Sequence, residues 1–133
     1  MANVIVDASV LIAVITNEPT KQKLIQLTQN TDLIAPNSIH WEIGNAFSAM
    51  LKRDRISVAE AVQAIETYQK IPVRFVDVEL VETIELADVL QIYAYDAYLV
   101  QCALKYKAPL LTLDQSLINS AKSVNVQTIE VTT

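Results

Sequence analysis

Five short, mostly apolar runs recur along this chain: Asn3–Val6, Leu33–Ala35, Val73–Val76, Leu110–Leu113 and Val126–Val131. Most lack the polar–apolar alternation of a half-exposed strand, so they suit strands covered on both faces of a parallel sheet. Helical patterns fill the gaps. Ser57-x-x-Glu60 is a capping box leading into Val58, Ala61, Val62, Ile65 and Tyr68. A second helix begins near Asn37 or Ser38, with Ile39, Ile43, Ala46, Phe47, Met50 and Leu51 as its apolar stripe. Strands alternating with helices predict a three-layer α/β/α sandwich around a central, mostly parallel five-stranded sheet with right-handed crossovers.

At 133 residues, with 52% apolar and 19% charged side chains, the chain suits one globular domain spanning 1–133. Gly44 is its only glycine, which excludes a glycine-rich phosphate loop. Cys102 is its only cysteine, which excludes an internal disulfide and a cysteine-rich metal site. The longest apolar run, Val10 to Ile15, is far too short to span a membrane. No base precedes Lys21, so the positive start of a secretory signal is missing. These features lead to the expectation of a soluble, cytoplasmic protein without a membrane partner. The net charge of −5 argues against broad nucleic-acid binding through bulk positive charge. If four acids hold a cation, the rest of the chain carries only −1.

Two of the apolar runs lead into an aspartate and then helix formers, at Asp7 and Asp114. Ligands of open α/β sheets lie beyond the carboxyl ends of the strands, where strand order reverses. Were the first and fourth strands neighbours, these two acids would meet there. Helix capping explains each of them singly. Asp96 is also near a helix start, yet it shares a stripe with Leu99, Val100 and Ala103. Glu42 falls beyond the expected first helical turn, so capping accounts for it less well, although many such glutamates are simply solvated. Together the four suggest a hard-cation site. Carboxylates without a histidine or cysteine partner suit Mg²⁺ or Mn²⁺ rather than zinc.

The ordered set of fragments resembles the PIN domain family, in particular VapC-type toxins of toxin–antitoxin pairs. The fragments are "VIVDASVLIA" with Asp7 and Ser9, "PNSIHWEIGNAF" with Glu42, "YDAYLVQCAL" with Asp96, and "LLTLDQSL" with Asp114 and Thr112. The likeness covers essentially the whole length. The chain departs from it where family members often carry glycine, at Lys107 and Asn125. The resemblance implies a PIN-like fold and an Mg²⁺- or Mn²⁺-dependent ribonuclease with Asp7, Glu42, Asp96 and Asp114 as catalytic and metal-holding acids. It makes Ser9, Asn45 and Thr112 candidate donors orienting those acids. It further implies an RNA substrate, a homodimer, and a cognate antitoxin covering the active groove.

The basic cluster Lys52–Arg55 reads as solvated charge at a helix end, or more sharply as an RNA phosphate contact through Lys52 and Arg53. Asp77, Glu79, Glu82, Glu85 and Asp88 read as a solvated helix face. His40 reads as a surface residue. Trp41, Tyr93, Tyr95 and Tyr98 are able to stack on bases, although packing is the commoner role for such residues. Two other classes compete. A signalling receiver domain, with Asp77 as phosphoacceptor, would leave Glu42 and Asp96 without a role. A non-catalytic module of the same fold would bind RNA or protein without cutting.

Overall fold

The structure, a computed structural model, describes residues 2–131. Four strands form one all-parallel sheet in the order β3-β2-β1-β4, with β1 at Ala2–Val6, β2 at Thr31–Pro36, β3 at Val73–Val76 and β4 at Leu110–Leu111. Helices α1 (Ala8–Ile15) and α2 (Lys21–Thr28) connect β1 to β2; α3 (Ile39–Lys52) and α4 (Val58–Lys70) connect β2 to β3. After β3, α5 (Leu80–Leu90) and α6 (Ala94–Tyr106) carry the chain back past β2 to the far side of β1, and α7 (Gln115–Ser123) follows β4.

The strand sequences explain the layering. Side chains alternate across a strand, so a run that is apolar at every position feeds two cores. Val4 and Val6 enter one buried cluster with Ala35 and Leu111, packed beneath α1–α4 through Val10, Leu24, Ile39, Ile43, Phe47 and Ala61. Ile5, Ile34 and Leu110 enter the other, beneath α6 and α7, with Leu99, Val100 and Leu117. Each fully buried Val, Leu or Ile contributes about 1.5–3 kcal/mol. The capping box closes α4 as its sequence requires: Ser57 Oγ accepts from the Glu60 amide, and the Glu60 carboxylate accepts from the Ser57 amide.

The expected fifth strand is reduced to one bridge. Residues 126–131 run beside β4 with Thr128 paired in parallel to Leu110, supported by bonds from Leu110 N to the Gln127 carbonyl and from Ile129 N to the Leu110 carbonyl. β4 itself ends at Leu111; beyond it the Leu113 amide donates to Ser9 Oγ instead of to a ladder carbonyl, so the edge offers few positions for a fifth strand.

The two positions where glycine was expected do need left-handed backbone. Lys107 closes α6 at φ 51° and Asn125 follows α7 at φ 63°. Asparagine tolerates this conformation, whereas lysine adopts it at a steric cost.

Candidate active site at the strand tips

β1 and β4 are neighbours, and the sheet reverses its winding between them. Asp7, the residue after β1, is only 5% exposed. Its first carboxylate oxygen accepts from Ser9 Oγ at 2.7 Å and from Val10 N at 3.2 Å. Its second accepts from the Thr112 hydroxyl, 105 positions away in sequence. The Thr112 oxygen accepts in turn from Asp114 N at 3.0 Å, and Ser9 Oγ accepts from Leu113 N at 3.1 Å. Two hydroxyls therefore stitch the strand tips together and fix how Asp7 points. Ser9 and Thr112, two of the three candidate orienting donors, both donate to Asp7.

Capping and convergence coexist. Asp7 caps α1 through Val10 N, and Asp114 caps α7 by accepting from Ser116 N at 2.9 Å and Leu117 N at 3.3 Å. Glu42 lies within the first turn of α3 rather than beyond it, and Asp96 within the first turn of α6. Neither is the cap of its helix. All four acids thus sit at helix N-termini, whose partial positive charge offsets part of their repulsion.

The electrostatics form a closed ring. Burial raises the Glu42 carboxyl to about 8, reinforced by the charges of Asp7 and Asp96. Burial also raises Asp7, against the lowering effect of its bonds from Thr112, Ser9 and Val10, with Asp114 adding repulsion. Asp96 is raised by burial and then by Asp114. Every side-chain charge that shifts Glu42, Asp7 and Asp96 is that of another acid. One buried oxygen of Glu42, Oε2, has no hydrogen-bond partner, a costly state for a carboxylate unless a cation or its water meets it.

The donor set and the orphaned oxygen fit a hard divalent ion. No three acidic, histidine or cysteine side chains among the described residues are gathered tightly enough to hold an ion by direct bonds alone. Mg²⁺ keeps several of its waters and asks for only one or two direct carboxylates, so the looser spacing suits it.

Other expectations meet the structure unevenly. Asn45 is exposed and bonds none of the four acids; its backbone carbonyl accepts from Ser48 Oγ. Lys52 and Arg53 are exposed at the far end of α3. Ten residues of helix place Lys52 about 15 Å along the axis from Glu42. The acidic run on and before α5 is solvent-facing, with Glu79 paired to Lys105 at 2.8 Å. His40 is not a surface residue: it is half-buried, its Nδ1 lies 2.8 Å from the Tyr68 hydroxyl, and its ring packs 4.2 Å from that of Phe75. The helical register that puts Ile39 and Ile43 inward carries His40 against α4 and β3. Trp41, Tyr93 and Tyr95 are exposed to solvent instead of packing inside.

Residues 4–122 match the PIN domain family. The chain belongs to the PIN domain family. It is 30% identical over 122 residues to the VapC ribonuclease Mb0985 of Mycobacterium bovis and, to the same extent, to ribonuclease VapC9 of Mycobacterium tuberculosis. Each match covers 90% of this chain and 92% of the relative. The PIN fold recurs in PAE2754 from Pyrobaculum aerophilum (TM-score 0.74, 21% identity, covering 96% of this chain and 83% of that one). It recurs also in VapBC2 from Rickettsia felis, solved bound to a promoter DNA fragment (TM-score 0.70, 14% identity, 96% and 97% covered). Membership of this family excludes the receiver reading, and Asp77, its supposed phosphoacceptor, instead accepts a bond from the Asn37 side chain. No helix among the described residues is long and apolar enough to cross a membrane.

Proposed function

We propose that this PIN domain is a ribonuclease of the VapC type that hydrolyses RNA phosphodiester bonds with Mg²⁺ or Mn²⁺. The observation carrying the proposal is the convergence of like charges at the strand tips, where Asp7 and Asp96 repel Glu42 and Asp114 repels both of them, with one Glu42 oxygen buried and unpartnered. Added positive charge stabilises such a set of carboxylates in their ionised form. Asp7, Glu42, Asp96 and Asp114 would hold the ion, some of them through its waters. Bound there, the ion would supply Lewis-acid chemistry, neutralising charge on the phosphate and activating water for attack.

The chain's own residues do the rest. Ser9 and Thr112 keep Asp7 in one orientation, and the first turn of α7 keeps Asp114 in another. Helix N-termini converging on the site favour the phosphate as they favour the acids. Glu42, raised to about 8 without an ion, would give up its proton when one binds. Lys52 and Arg53 stand too far along α3 to touch the phosphate being cut and would meet a more distant one. The relatives' names support the ribonuclease activity, and the VapBC complexes among the fold neighbours support a toxin role with a cognate antitoxin as protein partner; a homodimer in the cytoplasm completes the proposal.

The test is cleavage of a mixed RNA pool by purified protein with Mg²⁺, Mn²⁺ or EDTA, beside Asp7→Asn and Asp96→Asn. Cleavage should need the ion and vanish in both variants. Equal cleavage in every lane would mark a contaminating nuclease and remove the proposal. Firm RNA retention without cleavage under either ion would replace it with the non-catalytic module.

A further inference from the structure

A groove of about 560 Å³ opens beside the acids, between the N-terminal ends of α3 and α6 and the segment after β3. Trp41, Tyr93, Tyr95 and Tyr98 line it, with Asn37 and Asp77 among its polar members. Trp41 immediately precedes Glu42, and Tyr95 immediately precedes Asp96, so the groove is built on the same two helix starts as the acids without including them. Its aromatics are unusually open: Trp41 is 66% exposed, Tyr93 88% and Tyr95 40%. Tyr95 and Tyr98 hold each other edge to face at 6.4 Å.

We propose that this groove seats an unpaired RNA base next to the scissile phosphate, with Trp41 and Tyr95 as stacking faces and the Asn37–Asp77 pair as its hydrogen-bonding edge. The inference rests on the ribonuclease reading and adds a specificity subsite to it.

The chemistry of the walls selects the occupant. No lysine or arginine lines the groove, and the Asp77 carboxylate does, so a phosphate is repelled from it. A base is neutral and flat, and base–aromatic stacking is the general means of holding single strands. An apolar protein side chain would strand the polar members. The Asn37 amide donates to one Asp77 oxygen, while no described side-chain bond uses the other Asp77 oxygen or the Asn37 carbonyl oxygen. Ser38 Oγ, on the same wall, is buried without a partner. This edge is rich in acceptors. Guanine presents two adjacent N–H donor groups on its Watson–Crick edge, whereas uracil presents one donor between two acceptors. The groove therefore favours guanine over uracil.

Trp41 is the chain's only tryptophan, so its fluorescence reports the groove alone. Intact protein in EDTA is titrated with a short oligouridine and with the same oligomer carrying one guanosine. Saturable quenching, tighter for the guanosine-bearing strand, is expected. The KM for Mn²⁺-supported cleavage of the same strands should rise roughly tenfold or more in Trp41→Ala and in Tyr95→Ala, with Trp41→Phe retaining most affinity. Asp77→Asn should narrow the guanosine preference. Cleavage with an unchanged KM in both alanine variants and no quenching would overturn the groove's role while leaving the ribonuclease reading intact. Quenching without cleavage under any ion would do the reverse. Loss of self-association in Trp41→Ala at unchanged RNA affinity, seen by sedimentation, would overturn the base subsite in favour of a protein-contact surface.

Discussion

Replacing Glu42 by glutamine should make the ion-free protein more stable at alkaline pH. In the fold this carboxyl titrates near 8, against 4.5 for the free group. Below pH 4.5 both folded and unfolded chains hold the proton, and Glu42 costs nothing. Between 4.5 and 8 the unfolded chain has released the proton while the folded chain keeps it, so stability falls as pH rises. Above 8 the full cost stands. At 1.36 kcal/mol per pKa unit the shift is worth at most ~5 kcal/mol. Glu42 is partly open to solvent, and screening reduces this to about 2–3 kcal/mol. Asp7 and Asp96, also raised, add to the same slope. For a chain of this size the Glu42 share corresponds to roughly 5–12 °C in Tm. Thermal unfolding in EDTA, followed by circular dichroism at pH 5, 7 and 9, measures it. Wild type should lose stability across the series, whereas Glu42→Gln should lose markedly less and unfold above wild type at pH 9. Mn²⁺ at pH 8 should stabilise wild type far more than the variant. Parallel pH profiles for the two proteins would refute the reasoning, because Glu42 would then be solvated like any surface glutamate.

Thr112→Val keeps the shape but removes the hydroxyl joining Asp7 to Asp114 N, so urea denaturation should show a loss of about 1–3 kcal/mol, accompanied by slower RNA cleavage. Lys107→Gly should raise stability by about 1 kcal/mol, seen as a higher Tm with unchanged cleavage, because it relieves a left-handed residue far from the acids. Ser57→Ala removes the α4 cap and should cost about 1 kcal/mol in urea denaturation without altering the KM for RNA.

The parallel sheet and its three layers were legible because β1 and β2 are apolar at successive positions, and only burial on both faces explains that. The length of β4 was not legible. Thr112 and Leu113 read as strand residues, yet the Leu113 amide goes to Ser9 Oγ, more than a hundred positions away, rather than to a neighbouring strand. The four acids were legible as an ordered set, yet their individual environments were not. Nothing local in "HWEIGN" tells that Glu42 keeps a buried oxygen without a partner, since that depends on how α3 meets the tips of β1 and the start of α6. His40 was misplaced for a related reason. Its neighbours Tyr68 and Phe75 come from α4 and β3, and a single histidine carries no periodic signal of its own. Trp41 and Tyr95 were discounted because large aromatics usually pack inside, a preference that these two override beside the acids.

Mn²⁺ binding to the RNA-free protein tests the shared cation site most directly. Titration calorimetry at pH 7 should give saturable binding that is lost in Asp7→Asn and Asp96→Asn. Repeating it in buffers of different ionisation enthalpy should reveal close to one proton released per binding event, the proton held by Glu42. Absent binding, or binding that both variants retain without proton release, would contradict the claim that these four carboxylates form one cation site.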